Sequence, residues 1–262
     1  MPDTAVDSDL WIRRFHPAPQ AGHRLVCLPH AGASASYFFG VSRALSPAVE
    51  VLAVQYPGRQ DRRGEPCVDN VPELADSVTE AVSGWADRPL ALFGHSLGAT
   101  VGFEVARRLE KRGIAVTVLF ASGRRAPSRE RDETFHLLDD EKLLAEIRGL
   151  EGTNANVLAD DEIIRMVLPA VRGDYAAAET YRYVPGPALR APIRALVGDS
   201  DPKVTLEEAE AWGEHTGADF RLKVFPGGHF YLNAHQSAVL RLVTDCLAST
   251  SASDTPTRIE VK

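Results

Sequence analysis

The stretch Leu90-Ala91-Leu92-Phe93-Gly94-His95-Ser96-Leu97-Gly98-Ala99 joins an apolar run to a G-x-S-x-G motif and then to a helical pattern. Small residues two positions either side of a serine allow a tight strand-to-helix turn that lifts its hydroxyl above the sheet. The Ser96 hydroxyl then sits at a helix N-terminus, where the backbone N–H of Leu97 can meet a developing oxyanion. A serine hydroxyl is a weak nucleophile at neutral pH, so it needs a base, and the base needs an acid to orient it. Chains built on this turn supply them in the order Ser, acid, His. Here Gly198-Asp199-Ser200-Asp201-Pro202 follows the apolar run 193–197, and Gly227-Gly228-His229 follows the run 220–225. Both lie at carboxyl ends of expected strands, where the active-site loops of open α/β sheets gather. Ser96 is therefore the candidate nucleophile, Asp201 the acid and His229 the base. Asp199 is the competing acid, but its place beside the strand end suits a turn cap better.

An oxyanion needs a second donor, normally from the loop after the first core strand. That loop reads Leu28-Pro29-His30-Ala31-Gly32-Ala33-Ser34, and the Ala31 amide, next to a glycine, is the candidate. Of the other histidines, His95 lies inside the turn and is expected to point away from Ser96, and His30 lies in a loop near it. His16, His23, His136, His215 and His235 are expected at the surface. None of the eight forms H-E-x-x-H or another metal-ligand spacing, so no metal is expected, and the serine chemistry asks for no cofactor.

To hold these residues the chain needs a sheet. Apolar runs at 24–28, 49–56, 90–93, 115–121, 193–197 and 220–225 lack strict polar alternation, which predicts strands covered on both faces. Amphipathic stretches at 71–85, 97–111, 206–216 and 234–247 predict helices between them, hence an α/β fold with a mostly parallel central sheet flanked by helices. The 70 or so residues between Ser122 and Ile193 far exceed an ordinary connection. They read as helices at 139–148, 161–173 and 174–183 around a Gly- and Asn-containing stretch at 149–160. Within a single domain of 1–262, residues 124–190 are thus expected to form a helical lid, with more scaffold as the plainer alternative. Leu137, Leu138, Leu143, Met166 and Val167 either line an acyl channel there or fill a buried helix face. Residues 249–262, small and polar, are expected to be a disordered tail.

The 262 residues can bury a core without staples, and the three cysteines, Cys27, Cys67 and Cys246, fit neither a disulfide framework nor a zinc cage. A reducing, cytoplasmic setting is expected. The N-terminus carries three Asp before Arg13, unlike a signal or transit peptide, and no apolar stretch approaches the roughly 20 residues a membrane span requires. With 29 Lys and Arg against 36 Asp and Glu the net charge is −7, which argues against a nucleic-acid binder.

RLVCLPHAGASAS, VLAVQYPGRQDR, LALFGHSLGA, ALVGDSDPKV and VFPGGHFYL, in this order and with these gaps, resemble the type II thioesterases, freestanding hydrolases that accompany polyketide and nonribosomal peptide synthases. The resemblance spans about Trp11 to Leu247. It implies an α/β-hydrolase fold with a helical lid, and removal of acyl groups from the phosphopantetheine arm of acyl or peptidyl carrier proteins; a monomer is the default expectation. The family's nucleophile falls on Ser96, its acid on Asp201, its base on His229, and its oxyanion donors on the Ala31 and Leu97 amides. One departure is His-Ala-Gly-Ala where the family commonly shows a Gly pair. Carrier proteins are generally acidic, so docking by an acidic enzyme must use local charge. Arg59, Arg62 and Arg63, or Arg124, Arg125, Arg129 and Arg131, are the candidate clusters, with plain solvated surface as the alternative. Rival readings are an oxoester hydrolase for small esters, a catalytically silent acyl-binding module, and a product-cyclising release domain. The last is disfavoured because the chain starts some 20 residues before its first core strand.

Overall fold

The computed structural model describes residues 7–150 and 161–253. Seven strands, β1 (Ile12–Arg13), β2 (His23–Leu28), β3 (Val49–Val54), β4 (Leu90–His95), β5 (Val116–Ser122), β6 (Ile193–Gly198) and β7 (Phe220–Phe225), form one sheet in the order β1-β3-β2-β4-β5-β6-β7. All neighbours are parallel except β1, which runs antiparallel to β3. The helices are α1 (Ser8–Trp11), α2 (Phe39–Leu45), α3 (Val71–Ser83), α4 (Leu97–Lys111), α5 (Asp140–Gly149), α6 (Asp161–Thr180), α7 (Leu206–Glu210), α8 (Tyr231–Ala234) and α9 (Gln236–Ser253).

Successive strand residues feed opposite faces, because side chains in a strand alternate. Val26, Leu28, Leu92, Leu119 and Ile193 join one core with α3 and α4. Leu25, Cys27, Phe93, Phe120 and Leu196 join another with α2 and α9. With both faces covered, the central strands can be apolar throughout, and truncating a residue such as Leu92 to Ala would cost about 2–5 kcal/mol. Capping fixes where helices begin: the Asn70 side chain accepts from the Glu73 N–H at 2.9 Å and Pro72 sits in the first turn of α3. Inside the sheet a carboxylate is fully enclosed. Glu50 on β3, 0% exposed, sits beside its register partner Arg24 on β2 and accepts from Arg24 Nε (3.0 Å), Arg14 Nε (3.0 Å) and Arg88 Nη2 (2.9 Å).

All six expected strands are present, and α4 has the bounds its pattern predicts. The structure differs in four places. β1 is too short to leave a periodic signature. The stretch 206–216 divides into α7 and a 3₁₀ turn, Ala211–His215. The expected helices 161–173 and 174–183 are one continuous α6, in which Pro169 is accommodated. Finally, α9 continues to Ser253, past the expected start of the tail at 249. Residues 254–262 and most of the expected 149–160 break lie outside the described residues.

Candidate active site

Ser96 follows β4 directly and precedes α4, with φ 53° and ψ −119°. A non-glycine residue rarely adopts this conformation, and the neighbours over-determine it. Its N–H donates to the carbonyl of Ser122 at the end of β5 (2.8 Å). A Cβ on Gly94 would stand 2.1 Å from the Gly98 carbonyl oxygen, and one on Gly98 would stand 2.2 Å from the Leu28 carbonyl oxygen. The two glycines of the motif are thus required by backbone approaching backbone.

The loops after β6 and β7 meet beside this turn. His229 Nδ1 lies 3.0 and 2.9 Å from the two carboxylate oxygens of Asp201, with the imidazole 3% exposed. A carboxylate only accepts, so Nδ1 carries the proton that is shared with Asp201, and the neutral form of the ring has its lone pair at Nε2. The Lys203 N–H also donates to Asp201 (2.8 Å). Asp199 instead accepts from the Gly227 N–H (2.9 Å) and the Ser200 hydroxyl (2.7 Å), which ties the two loops together. Those hydrogen bonds, from Ser200 first, hold its carboxyl below the usual range. Of the two acids, only Asp201 touches the imidazole.

Ser96 and His229 line one cavity of about 340 Å³, with no hydrogen bond between them among the described contacts. Such bonds are often long before substrate binds. Ala31 and Leu97 line the same cavity, and neither backbone N–H donates elsewhere among the described residues, as oxyanion donors require. The far wall comes from α5 and α6, through Leu144, Ile147, Leu168, Val171, Tyr175 and Ala178. Of the five apolar residues expected at a channel, only Val167 lines it. Leu143 is buried in a separate cluster with Leu168 and Val171, Leu137 and Met166 are exposed (72% and 59%), and Leu138 does not reach the cavity.

His95 turns away from Ser96, as expected, and bonds the Ser122 hydroxyl (2.9 Å), which also meets the Tyr231 hydroxyl (2.6 Å). His30 lines the cavity against Tyr37 and Phe230, and burial, helped by His229 and Arg59, pushes its pKa down to about 3. It is therefore a neutral wall and not a second base. His215, expected at the surface, is 4% exposed and packs on Phe103, Tyr183 and Trp212.

The arginine clusters are a correction. Arg59 and Arg62 are 6% and 5% exposed. Arg62 donates to the Gln55 carbonyl (2.8 Å) and Glu65 and lies over the Trp11 ring, and Arg59 pairs with Asp174. Arg125 is buried against Glu133, Arg129 pairs with Glu214 and Arg131 with Glu208. Arg124 turns onto the cavity wall, bonding the Thr100 hydroxyl and the Ala178 carbonyl (both 3.0 Å). Of these seven arginines, only Arg63 is exposed with no ion pair among the described residues. Neither cluster is a free basic patch.

A mostly parallel sheet with a serine elbow at the end of its β4 strand, an Asp–His pair beside it and a largely apolar cavity is the architecture of an α/β hydrolase. The chain belongs to the thioesterase domain family, whose model matches residues 23–247, and is a hydrolase acting on thioesters. It is similar to thioesterase PikA5 of Streptomyces venezuelae, 56% identical over 247 residues, which are 94% of this chain and 88% of that one. The solved structure of the type II thioesterase BorB from the borrelidin biosynthetic cluster matches with TM-score 0.87 and 54% identity, covering 91% of this chain and 98% of that. RedJ, a thioesterase from the prodiginine biosynthetic pathway in Streptomyces coelicolor, matches with TM-score 0.82 and 37% identity, covering 88% and 87%. The type II resemblance and the expected fold are both borne out.

Ser122 and Asp174 escape sequence reasoning, which reads Arg59 as a docking residue. For Asp174 a signal exists, since it stands on the stripe of α6 between Val171 and Ala177, where a buried apolar residue is the norm.

Proposed function

We propose that this thioesterase removes acyl groups from the phosphopantetheine arm of acyl or peptidyl carrier proteins in polyketide or nonribosomal peptide biosynthesis, through an acyl-Ser96 intermediate. The observation that carries this reading is the opening of Ser96 and the Asp201-held His229 onto one largely apolar cavity. In the first step Ser96 Oγ attacks the thioester carbonyl while His229 Nε2 takes its proton. The oxyanion is received by the Ala31 and Leu97 amides, each contributing about 2.7–4 kcal/mol to the transition state. Collapse breaks the C–S bond, and His229 returns the proton to the thiolate. Water, deprotonated by the same imidazole, then cleaves the acyl-serine to free acid and restores Ser96. In this reading α5 and α6 act as a lid over the acyl chain and exclude bulk water during both steps. The enzyme works as a monomer in the cytoplasm; no helix among the described residues is long and apolar enough to cross a membrane.

The test is release of acyl groups from an acyl-carrier thioester and from an acyl-matched simple ester. Wild type should favour the carrier thioester and take up a fluorophosphonate at Ser96. Ser96→Ala should fold, bind the same chain and release nothing. Turnover by Ser96→Ala would overturn the nucleophile, and a preference for the simple ester would favour an oxoester hydrolase.

A further inference from the structure

The loop that carries the Ala31 amide is held from one side by a buried ion pair reaching across from α6. Asp174, 0% exposed, accepts from the Gly32 N–H (2.7 Å) and receives the Arg59 guanidinium through both oxygens (2.6 and 2.8 Å). The same guanidinium donates to the Ala33 carbonyl at 3.0 Å and to the Pro57 carbonyl at 3.2 Å. Inside the loop, Ala33 N–H closes a turn on the His30 carbonyl (3.0 Å). The peptides on the C-terminal side of Ala31 are therefore fixed at Gly32 N and at Ala33 O, while the Ala31 N–H is left to face the cavity. A fully enclosed carboxylate survives without water only when its charge is paired and its lone pairs are filled, and here both conditions are met by one arginine and one amide.

A second observation is independent of charge. Gly32 has φ +76°, and a Cβ there would stand 2.6 Å from Cγ2 of Val171, three residues before Asp174 on α6. The loop and the helix touch backbone to side chain, so lifting α6 away would break the Asp174 bonds to Gly32 N–H and to Arg59 together. Lining residues Leu168, Val171, Tyr175 and Ala178 ride on that same helix.

We infer that Asp174 and Arg59 are positioning residues for acyl transfer: they hold the Ala31 amide in its oxyanion-binding direction, so the oxyanion hole is complete only while α6 is seated. The inference rests on Ala31 being an oxyanion donor in the function proposed above. It distinguishes a lid that merely covers the acyl chain from one that also assembles the catalytic geometry.

The test compares wild type, Asp174→Asn and Arg59→Lys in the full-length enzyme by thioester kinetics and by two inhibitors. An alkylboronic acid forms a tetrahedral adduct on a serine and places an oxygen in the hole. An alkyl thioether of equal chain length fills the cavity with no oxygen at the reacting position. Asp174→Asn should lower kcat by about 10²-fold, the scale of one lost oxyanion donor, with KM within about twofold. Its boronate affinity should fall by a similar factor and its thioether affinity should not change. Arg59→Lys, which keeps the charge but loses the two-pronged geometry, should give the same pattern at about tenfold, and it serves if Asp174→Asn does not fold. Unchanged kcat, or boronate and thioether affinities falling together, would remove the positioning role. Wild type that neither binds the boronate nor turns over the thioester would remove the site reading itself, and the inference with it.

Discussion

Asp199 and Asp201 are two residues apart and chemically alike, yet one orients an imidazole and the other ties two loops. The difference lies in which carboxylate β6 delivers past its last ladder residue, Gly198. Asp201→Asn should therefore lower kcat by up to about 10⁴-fold while the protein stays folded, because an amide at that place no longer enforces the Nδ1–H form of His229. Asp199→Ala should lower Tm by loosening the tie between the two loops, with kcat within a few fold. A kcat and a Tm for each variant check the pair, and a large kcat loss in Asp199→Ala would reverse the two roles. The order Ser, acid, His and the glycines around them made these residues legible in the chain. Arg59, Arg62, His30 and His215 were not legible, because burial depends on distant segments such as α6 that local spacing does not reveal. A charged residue in a loop looks solvated until its partner, here Asp174 some hundred residues away, is placed beside it.

Among the elements, α4 shows how one helix carries different tolerances at equal spacing. Gly98 faces the Leu28 and Pro29 carbonyls at 2.2 and 2.8 Å from a notional Cβ, whereas Gly102, one turn later, meets only the Leu119 and Leu28 side chains at 3.4 Å. Gly98→Ala should lose about 3 kcal/mol or more, through forced separation of β2 from the elbow. Gly102→Ala should be neutral or gain up to about 1 kcal/mol, since alanine is the better helix former. Thermal unfolding of both variants is the check, and equal Tm changes would show that the elbow tolerates the opening. Strand and helix identity was legible wherever the apolar pattern was long, as in β4 and α4. The continuity of α6 was not: its Gly173-Asp174 step resembles a break, and Pro169 a stop. Tertiary seating against the Gly32 loop and the 3₁₀ turn Phe135–Leu137 overrides both signals.

On the scale of the whole molecule, a net charge of −7 leaves the interior of the sheet to find its own balance. Burial pushes the Glu50 carboxyl up, but hydrogen bonds from Arg24 and Arg14 outweigh it and hold it below its ordinary value of 4.5. A carboxyl held low when folded contributes stability that is present above about pH 4.5 and is lost as pH falls through the lowered value. Glu50→Gln should thus cost about 3–5 kcal/mol at neutral pH, because the buried Arg24 loses its enclosed charge partner and Arg14 and Arg88 lose a shared carboxylate. The gap from wild type should narrow steadily below pH 4.5, and Tm measured from pH 3 to 8 would show it. A gap that stays constant across that range would mean that the stabilisation does not depend on the carboxylate charge.

The sheet ends in two unlike borders. β1 has two residues, and β7, paired only with β6, points Arg221 and Lys223 outward between the inward-leaning Phe220 and Leu222. A flat, uncharged border of open amides and carbonyls would template the addition of further strands from other molecules, and a short or charged one resists it. The short β1 and the charged β7 therefore leave neither border of this sheet as a flat template on which a second molecule could add a strand.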